Sequence, residues 1–285
     1  MIPKDFPRVI IEAVEPQIAG GQFPIKRVVG EKVVVSADVY KEGHDRLAVV
    51  LKVRKLGQKT WQESPMTLIT NDRWKGEFKV DSIGPWEYTV EGYAERYVSW
   101  VEEITKKNVP GADLKSELLE GMVILKTSAA LAPLADRSRM TSIIALMESA
   151  LEAGEQQVAV DLGLGNVMTA MMTSYPDRRE GHVMAPALTV MVNRPITRFA
   201  AWYEFFPRSQ SSVPHQHGTL QDSIARLHEV KAMGFDVVYL PPIHPIGYSF
   251  RKGKNNNVVA SPGDVGSPWA IGNEHGGHMA IEPQL

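Results

Sequence analysis

Four clusters in the 285 residues hold side chains whose type and spacing invite chemistry. The strongest is Phe250-Arg251-Lys252-Gly253-Lys254-Asn255-Asn256-Asn257, just after the turn-rich Pro241-Pro242-Ile243-His244-Pro245-Ile246-Gly247. Ammonium and guanidinium groups beside carboxamides can donate to sugar hydroxyls, and the cations can neutralise phosphate. A solvated basic loop has the same composition, so the residues alone leave both readings open. His215-Gln216-His217 has a spacing that metal sites sometimes use, but no nearby acid cluster completes it, which favours a flexible loop. Glu274-His275-Gly276-Gly277-His278 inverts the order of the helical His-Glu-x-x-His signature. Its paired glycines also spoil the helix that would align two ligands, so zinc protease chemistry is rejected. Gly163-Leu164-Gly165 lacks the preceding strand and third glycine of a dinucleotide fingerprint. Neither a metal nor a cofactor is expected.

Composition narrows the partners. Lys plus Arg number 31 against 33 for Asp plus Glu, a net charge of -2, so nucleic acid is not expected. With no cysteine there is no disulfide framework, thiolate nucleophile or Cys-based zinc site, and the cytoplasm is the expected compartment. The start, Met1-Ile2-Pro3-Lys4-Asp5, carries no apolar signal core, and no stretch approaches the roughly 18 apolar residues of a membrane span.

The elements that must position the basic loop can be read from periodicity. The first hundred residues alternate with a period of two: Val33, Val35, Ala37 and Val39 face one way, and Leu47, Val49, Leu51 and Val53 repeat the pattern. Trp74, Phe78, Trp86 and Tyr88 lie on later strands, where core is favoured over sugar platform. Turn signals at Glu42-Gly43-His44-Asp45, Asn71-Asp72 and Ile83-Gly84-Pro85 separate the strands, which argues for an antiparallel β-sandwich. From near Trp100 to about Thr173 the period is helical. Leu114, Leu118 and Leu125 mark a first helix capped by Asp113; Met140, Ile144 and Met147 a second, with Asp136 at its start and Gly154 at its end; Val158 to Met171 a third. Six of the 12 Met residues lie in this bundle, where core packing is favoured over a subunit contact. Strand character returns at Ala187 to Val192, as though the bundle were inserted into the sandwich.

From Arg198 the order is strand, helix, strand. Phe199 to Phe206 is apolar, Thr219 and Asp222 form a capping box, Leu220, Ile224 and Leu227 share a helical face, and Gly234 caps its end. Phe235 to Leu240 reads as a strand buried on both faces of a parallel sheet. The basic loop then falls at the C-terminal end of a parallel strand, where barrels place their functional groups. The 88 residues from Arg198 are short of the roughly 250 of a whole (β/α)8 barrel. The fold class is therefore multidomain: a β-sandwich over 1–101 and 182–197, an inserted helical bundle over 102–181, and the start of a (β/α)8 barrel over 198–285.

From Ala200 to Leu285 the sequence resembles glycoside hydrolase family 13 barrels through Tyr239-Leu240-Pro241-Pro242-Ile243 and Ser267-Pro268-Trp269-Ala270-Ile271-Gly272. More narrowly, it is similar to the α-1,4-glucan:maltose-1-phosphate maltosyltransferase family, through Ala201-Trp202-Tyr203-Glu204-Phe205-Phe206-Pro207-Arg208-Ser209, His244-Pro245-Ile246-Gly247, Phe250-Arg251-Lys252-Gly253 and Asp264-Val265-Gly266. The sandwich with a helical insert matches as well. The resemblance implies a cytoplasmic homodimer that transfers maltosyl units from α-maltose 1-phosphate to the non-reducing end of an α-1,4-glucan, with retention. It places the nucleophile, the acid/base Glu and the third carboxylate on later barrel strands, so this chain alone is expected to be inactive. Lys252 and Asn256 match positions that hold the maltosyl donor, and Lys254 stands where the family often has Arg. A non-catalytic glucan-binding or dimerisation module is the alternative.

Overall fold

The structure, a computed structural model, describes residues 7–285, which divide into two compact units, 7–193 and Arg194–Leu285. The charged start at Met1 to Asp5 lies outside the described residues.

In the first unit the alternating segments form two sheets. One holds β1 (Val9–Glu15), β3 (Lys32–Lys41), β7 (Arg73–Lys79) and β6 (Thr67–Thr70), in that order. The other holds β2 (Ile25–Val28), β10 (Leu188–Asn193), β8 (Gly84–Ala94), β4 (Leu47–Lys55) and β5 (Gln62–Pro65), with β9 (His182–Val183) against β8. Val33, Val35, Ala37 and Val39 of β3 are fully buried, and they share one core cluster with Leu51, Tyr88, Val90, Val190 and Val192 of the second sheet. Each such side chain contributes about 1.5–3 kcal/mol by leaving water. The strand aromatics belong to this core: Trp86 and Tyr88 are buried, and Trp74 and Phe78 pack against it. The sandwich is not wholly antiparallel, because β10 runs parallel to β2, with Val190 opposite Ile25. A hairpin would force antiparallel pairing, whereas β10 arrives after a long helical excursion that leaves the direction free.

That excursion, between β8 and β9, contains five helices rather than three: α1 (Arg96–Lys107), α2 (Lys115–Leu131), α3 (Leu134–Glu152), α4 (Gln156–Gly163) and α5 (Asn166–Ser174). The run from Val158 to Met171 is two helices, because Gly165 adopts an extended conformation and starts α5 afresh. Trp100, Leu118, Leu125, Met140, Met147 and Met168 fill a second core. Met here packs the interior. Asp113 accepts from the Lys115 amide at 3.0 Å, one residue ahead of the helix boundary at Leu114. Asp136 does not cap α3: Pro133, which has no N–H to satisfy, stands at that boundary, and Asp136 lies in the first turn, accepting from Tyr175 Oη at 2.5 Å. Gly154, at φ +79, ends α3 with the Glu155 amide donating to Ala150 O at 2.8 Å. Among the described residues no helix is long and apolar enough to cross a membrane.

The second unit contains β11 (Trp202–Glu204), α6 (Ser223–Ala232) and β12 (Val237–Tyr239). β11 and β12 pair in parallel, Trp202 opposite Val237 and Glu204 opposite Tyr239. The capping box forms as its sequence dictates: the Thr219 amide donates to Asp222 Oδ2 at 2.8 Å, and the Asp222 amide to Thr219 Oγ1 at 3.1 Å. Burial differs from the sequence reading. The strands are three residues long, Tyr239 is 43% exposed and Trp202 62%, and Leu220, Ile224 and Leu227 are exposed too. A parallel ribbon of two short strands has no further strand beside it among the described residues to cover its faces.

Candidate functional site

After β12 the chain passes through Pro241-Pro242 into a segment without strand or α-helix that runs to Leu285. A loop folded on itself must satisfy its own backbone. The Gly247 amide donates to Ala270 O at 2.6 Å and the Gly272 amide to Pro245 O at 2.8 Å, closing a bridge between Ile246 and Ile271. The Glu282 amide reaches Ile243 O at 2.9 Å, and His244 Nδ1 lies 2.8 Å from Ala280 O. Arg208 Nη2 donates to His244 O at 2.8 Å; burial holds this guanidinium below its ordinary pKa, with the charge of Glu282 opposing the shift.

Lys252 and Asn256 lie on one small turn, which the Gly253 amide closes by donating to Asn257 O at 2.9 Å. Lys252 is half-buried, and among the described residues its ammonium makes neither a hydrogen bond nor an ion pair. Asn256 is exposed at φ +60, at the end of a single 3-10 turn over Lys254–Asn256, and its carboxamide is equally unengaged. Lys254 is exposed. The arrangement presents an unpaired cation and a carboxamide with free hydrogen-bonding capacity, suited to an oxygen-rich or anionic ligand.

The weaker motifs resolve as local structure. His215 is exposed at φ +65, and His217 is half-buried with its Nδ1 unpartnered. Among the described residues no group of three or more His, Cys, Asp or Glu stands together where a metal could be held. Asn273 Oδ1 accepts from the His275 amide at 2.8 Å, so Glu274 and His275 belong to a turn. Gly163-Leu164-Gly165 is the junction of α4 and α5. Two features have no signature in the sequence. Arg251 turns its guanidinium onto backbone carbonyls, partners that composition cannot reveal. In the first unit a partly open pocket of about 70 Å³ is lined by Glu95, Tyr97, Val98, Val123, Ser128 and Met172, and burial pushes the Glu95 carboxyl up from its ordinary pKa.

Comparison with known proteins identifies the family of the chain. The pattern described as alpha-1,4-glucan:maltose-1-phosphate maltosyltransferase, domain N/S, matches residues 7–194. The chain belongs to this maltosyltransferase family. Curated proteins of that name match it almost end to end. The one from Chlorobaculum tepidum is 41% identical over 278 residues, 98% of this chain and 41% of the relative. Those from Myxococcus xanthus and Rhodospirillum rubrum are 41% and 40% identical, each over 97% of this chain and 42% of the relative. The chain therefore spans about two fifths of the length of these maltosyltransferases. Since the matched stretch is nearly the whole chain, it runs past the N/S region into the loop that carries Lys252.

Proposed function

We propose that this chain is the N-terminal part of a retaining glycosyltransferase of glycoside hydrolase family 13, which moves maltosyl from α-maltose 1-phosphate to the non-reducing end of an α-1,4-glucan. The observation that carries the reading is Lys252, half-buried yet without a partner among the described residues, on the loop that follows β12. An ammonium in that state is poised to donate to sugar hydroxyls, with Asn256 beside it in sequence as a second contact. Retention requires double displacement: a carboxylate attacks the anomeric carbon as phosphate leaves, and an acceptor hydroxyl then displaces the carboxylate and gives its proton to a base.

Six of the seven carboxylates of the second unit are engaged locally, which supports placing that pair outside these 285 residues; the seventh, Glu204 at the end of β11, is exposed and unpaired among the described residues. Asp222 accepts from the Thr219 amide, Asp236 from the Ala201 amide, and Asp264 from the Ser261 amide. Glu229 pairs with Arg226, Glu274 accepts from Tyr248 Oη, and Glu282 from the Gln284 amide. The β11–α6–β12 order, with its strands parallel, supports the start of a (β/α)8 barrel over 198–285, after a sandwich over 1–101 and 182–197 and an inserted bundle over 102–181. Leu119 and Val123, one turn apart on α2 and 50% and 64% exposed, support a homodimer contact through the bundle. The absence of cysteine is in keeping with a cytoplasmic enzyme.

In the whole transferase, Lys252→Ala lowers kcat/KM for α-maltose 1-phosphate by about ten- to a hundredfold, the loss of one charged hydrogen bond, while Lys254→Ala changes little. Parent-like behaviour of Lys252→Ala sinks the reading. The 285-residue chain by itself releases no phosphate from α-maltose 1-phosphate in the presence of glucan; release that scales with pure chain concentration contradicts the placement of the carboxylates.

A further inference from the structure

Arg251 sits beside Lys252 but does something different. Its Nε donates to Gly247 O, its Nη2 to Ile246 O and its Nη1 to Asp264 O, each at 3.0 Å. The first two carbonyls lie at the entry of the loop and the third near its far end, so one guanidinium joins the two arms. The cation centre lies 4.2 Å from the ring centroid of Tyr248, whose hydroxyl donates to Glu274 at 3.3 Å. No carboxylate pairs with it among the described residues. Its stem is enclosed as well: a Cβ at Gly266, where φ is +82, would lie 2.9 Å from Arg251 Cγ. The far arm must therefore carry glycine at that point to approach the arginine.

We infer that Arg251 is a positioning residue: it staples the two arms of the loop through three carbonyls and so fixes the place of the Lys252 ammonium. The inference rests on the reading of Lys252 as a contact for the sugar donor and adds to it the device that aims that contact. Only a planar fork can reach three carbonyls in different directions while lying on an aromatic face; an ammonium concentrates its donors at one point and cannot span them. A group that served only as charge would tolerate Arg251→Lys. A staple does not.

Two measurements test this. In the 285-residue chain, Arg251→Lys accelerates amide hydrogen exchange at Gly247, Gly253 and Asp264, all hydrogen-bonded within the loop, by about tenfold or more. Exchange in α6 stays at the parent rate, which shows that the unit is still folded, and Lys252→Ala leaves the loop rates unchanged. In the whole transferase, Arg251→Lys lowers kcat/KM for α-maltose 1-phosphate by about tenfold or more. The double variant with Lys252→Ala is no worse than Lys252→Ala alone, because Arg251 acts through Lys252. Loop exchange at the parent rate in Arg251→Lys overturns the staple, and additive losses in the double variant overturn its action through Lys252. Failure of the donor reading has a different signature: Lys252→Ala is neutral while loop exchange is still accelerated in Arg251→Lys, and the functional half of the inference falls with it.

Discussion

Gly121→Ala sets two effects of opposite sign against each other inside α2. Replacing a mid-helix glycine with alanine favours the helix by about 1 kcal/mol. Here the new methyl would lie 2.2 Å from Trp100 Cε2 and 2.3 Å from Cζ2, far inside the roughly 3.5–4.0 Å at which carbon atoms rest. The indole cannot easily withdraw. Its Nε1 donates to Glu117 O at 2.7 Å, one turn earlier on the same helix, and its Cη2 lies 2.9 Å from where a Cβ at Gly163 of α4 would stand. Overpacking of this kind costs about 1–3 kcal/mol, and a broken indole hydrogen bond adds about 1 kcal/mol. The clash therefore outweighs the propensity gain, for a net loss of about 1–3 kcal/mol. Urea unfolding followed by helical circular dichroism measures it, with Glu120→Ala on the same helix, at an exposed position, as a control expected within about 0.5 kcal/mol of the parent. A Gly121→Ala chain as stable as the parent, or more so, means that Trp100 has room to move and that the packing argument is wrong.

Glu95 gives a pH signature. Burial raises its pKa in the folded chain, so the folded state holds the proton more tightly than the unfolded state, and stability falls as pH rises from the ordinary glutamate range of about 4.3 through the raised value. Glu95→Gln removes that loss: its melting temperature exceeds the parent's at pH 7 by more than at pH 4, and an equal difference at both would show that Glu95 is not desolvated. Arg178 donates to Glu63 at 2.8 Å and to Glu91 at 3.2 Å, beside Lys52, which reaches Glu91 at 2.9 Å. Because the Glu91 side chain is only 8% exposed, Arg178→Met leaves it with Lys52 alone and destabilises the chain by about 1–3 kcal/mol in chemical denaturation. Unchanged stability would mean that Lys52 suffices.

Local rules were legible where neighbours in sequence settle the structure. The alternation in β3, the reciprocal hydrogen bonds of Thr219 and Asp222 and the glycine end of α3 each depend on residues within a few positions. Misreadings arose where distant partners decide. Nothing near Leu188 states that β10 must lie parallel to β2, because its neighbours come from the other end of the unit. Met168 and Met171 keep helical spacing with Val158 although Gly165 divides the run, since a shared core preserves the apolar face across a break. Asp136 has the composition of a cap, yet Tyr175, far along the chain, takes its carboxylate. In the loop, Lys252 and Asn256 could be singled out by type, and by the family motif that surrounds them. Arg251 could not be told from a second ligand contact, because its partners are backbone carbonyls that every residue possesses.

The two units are held by different forces, and this bears on where a binding group can be kept free. The first is built, among the described residues, around two clusters of eighteen buried residues each, so its order comes from apolar burial. In the second, Phe205, Val230 and Ile246 are the buried hydrophobic residues among those described, and the stretch beyond β12 is held mainly by backbone hydrogen bonds and by the guanidinium groups of Arg208 and Arg251. Such a segment opens at lower free-energy cost than a packed core. A core would have had to pair or exclude the Lys252 ammonium, since a buried charge without a partner is expensive. A hydrogen-bonded loop can hold that charge half-exposed, with no partner among the described residues. Lost staples should therefore disorder the site before they disturb the sheets or the helices, and binding at the site can feel a change that the melting of the first unit does not register.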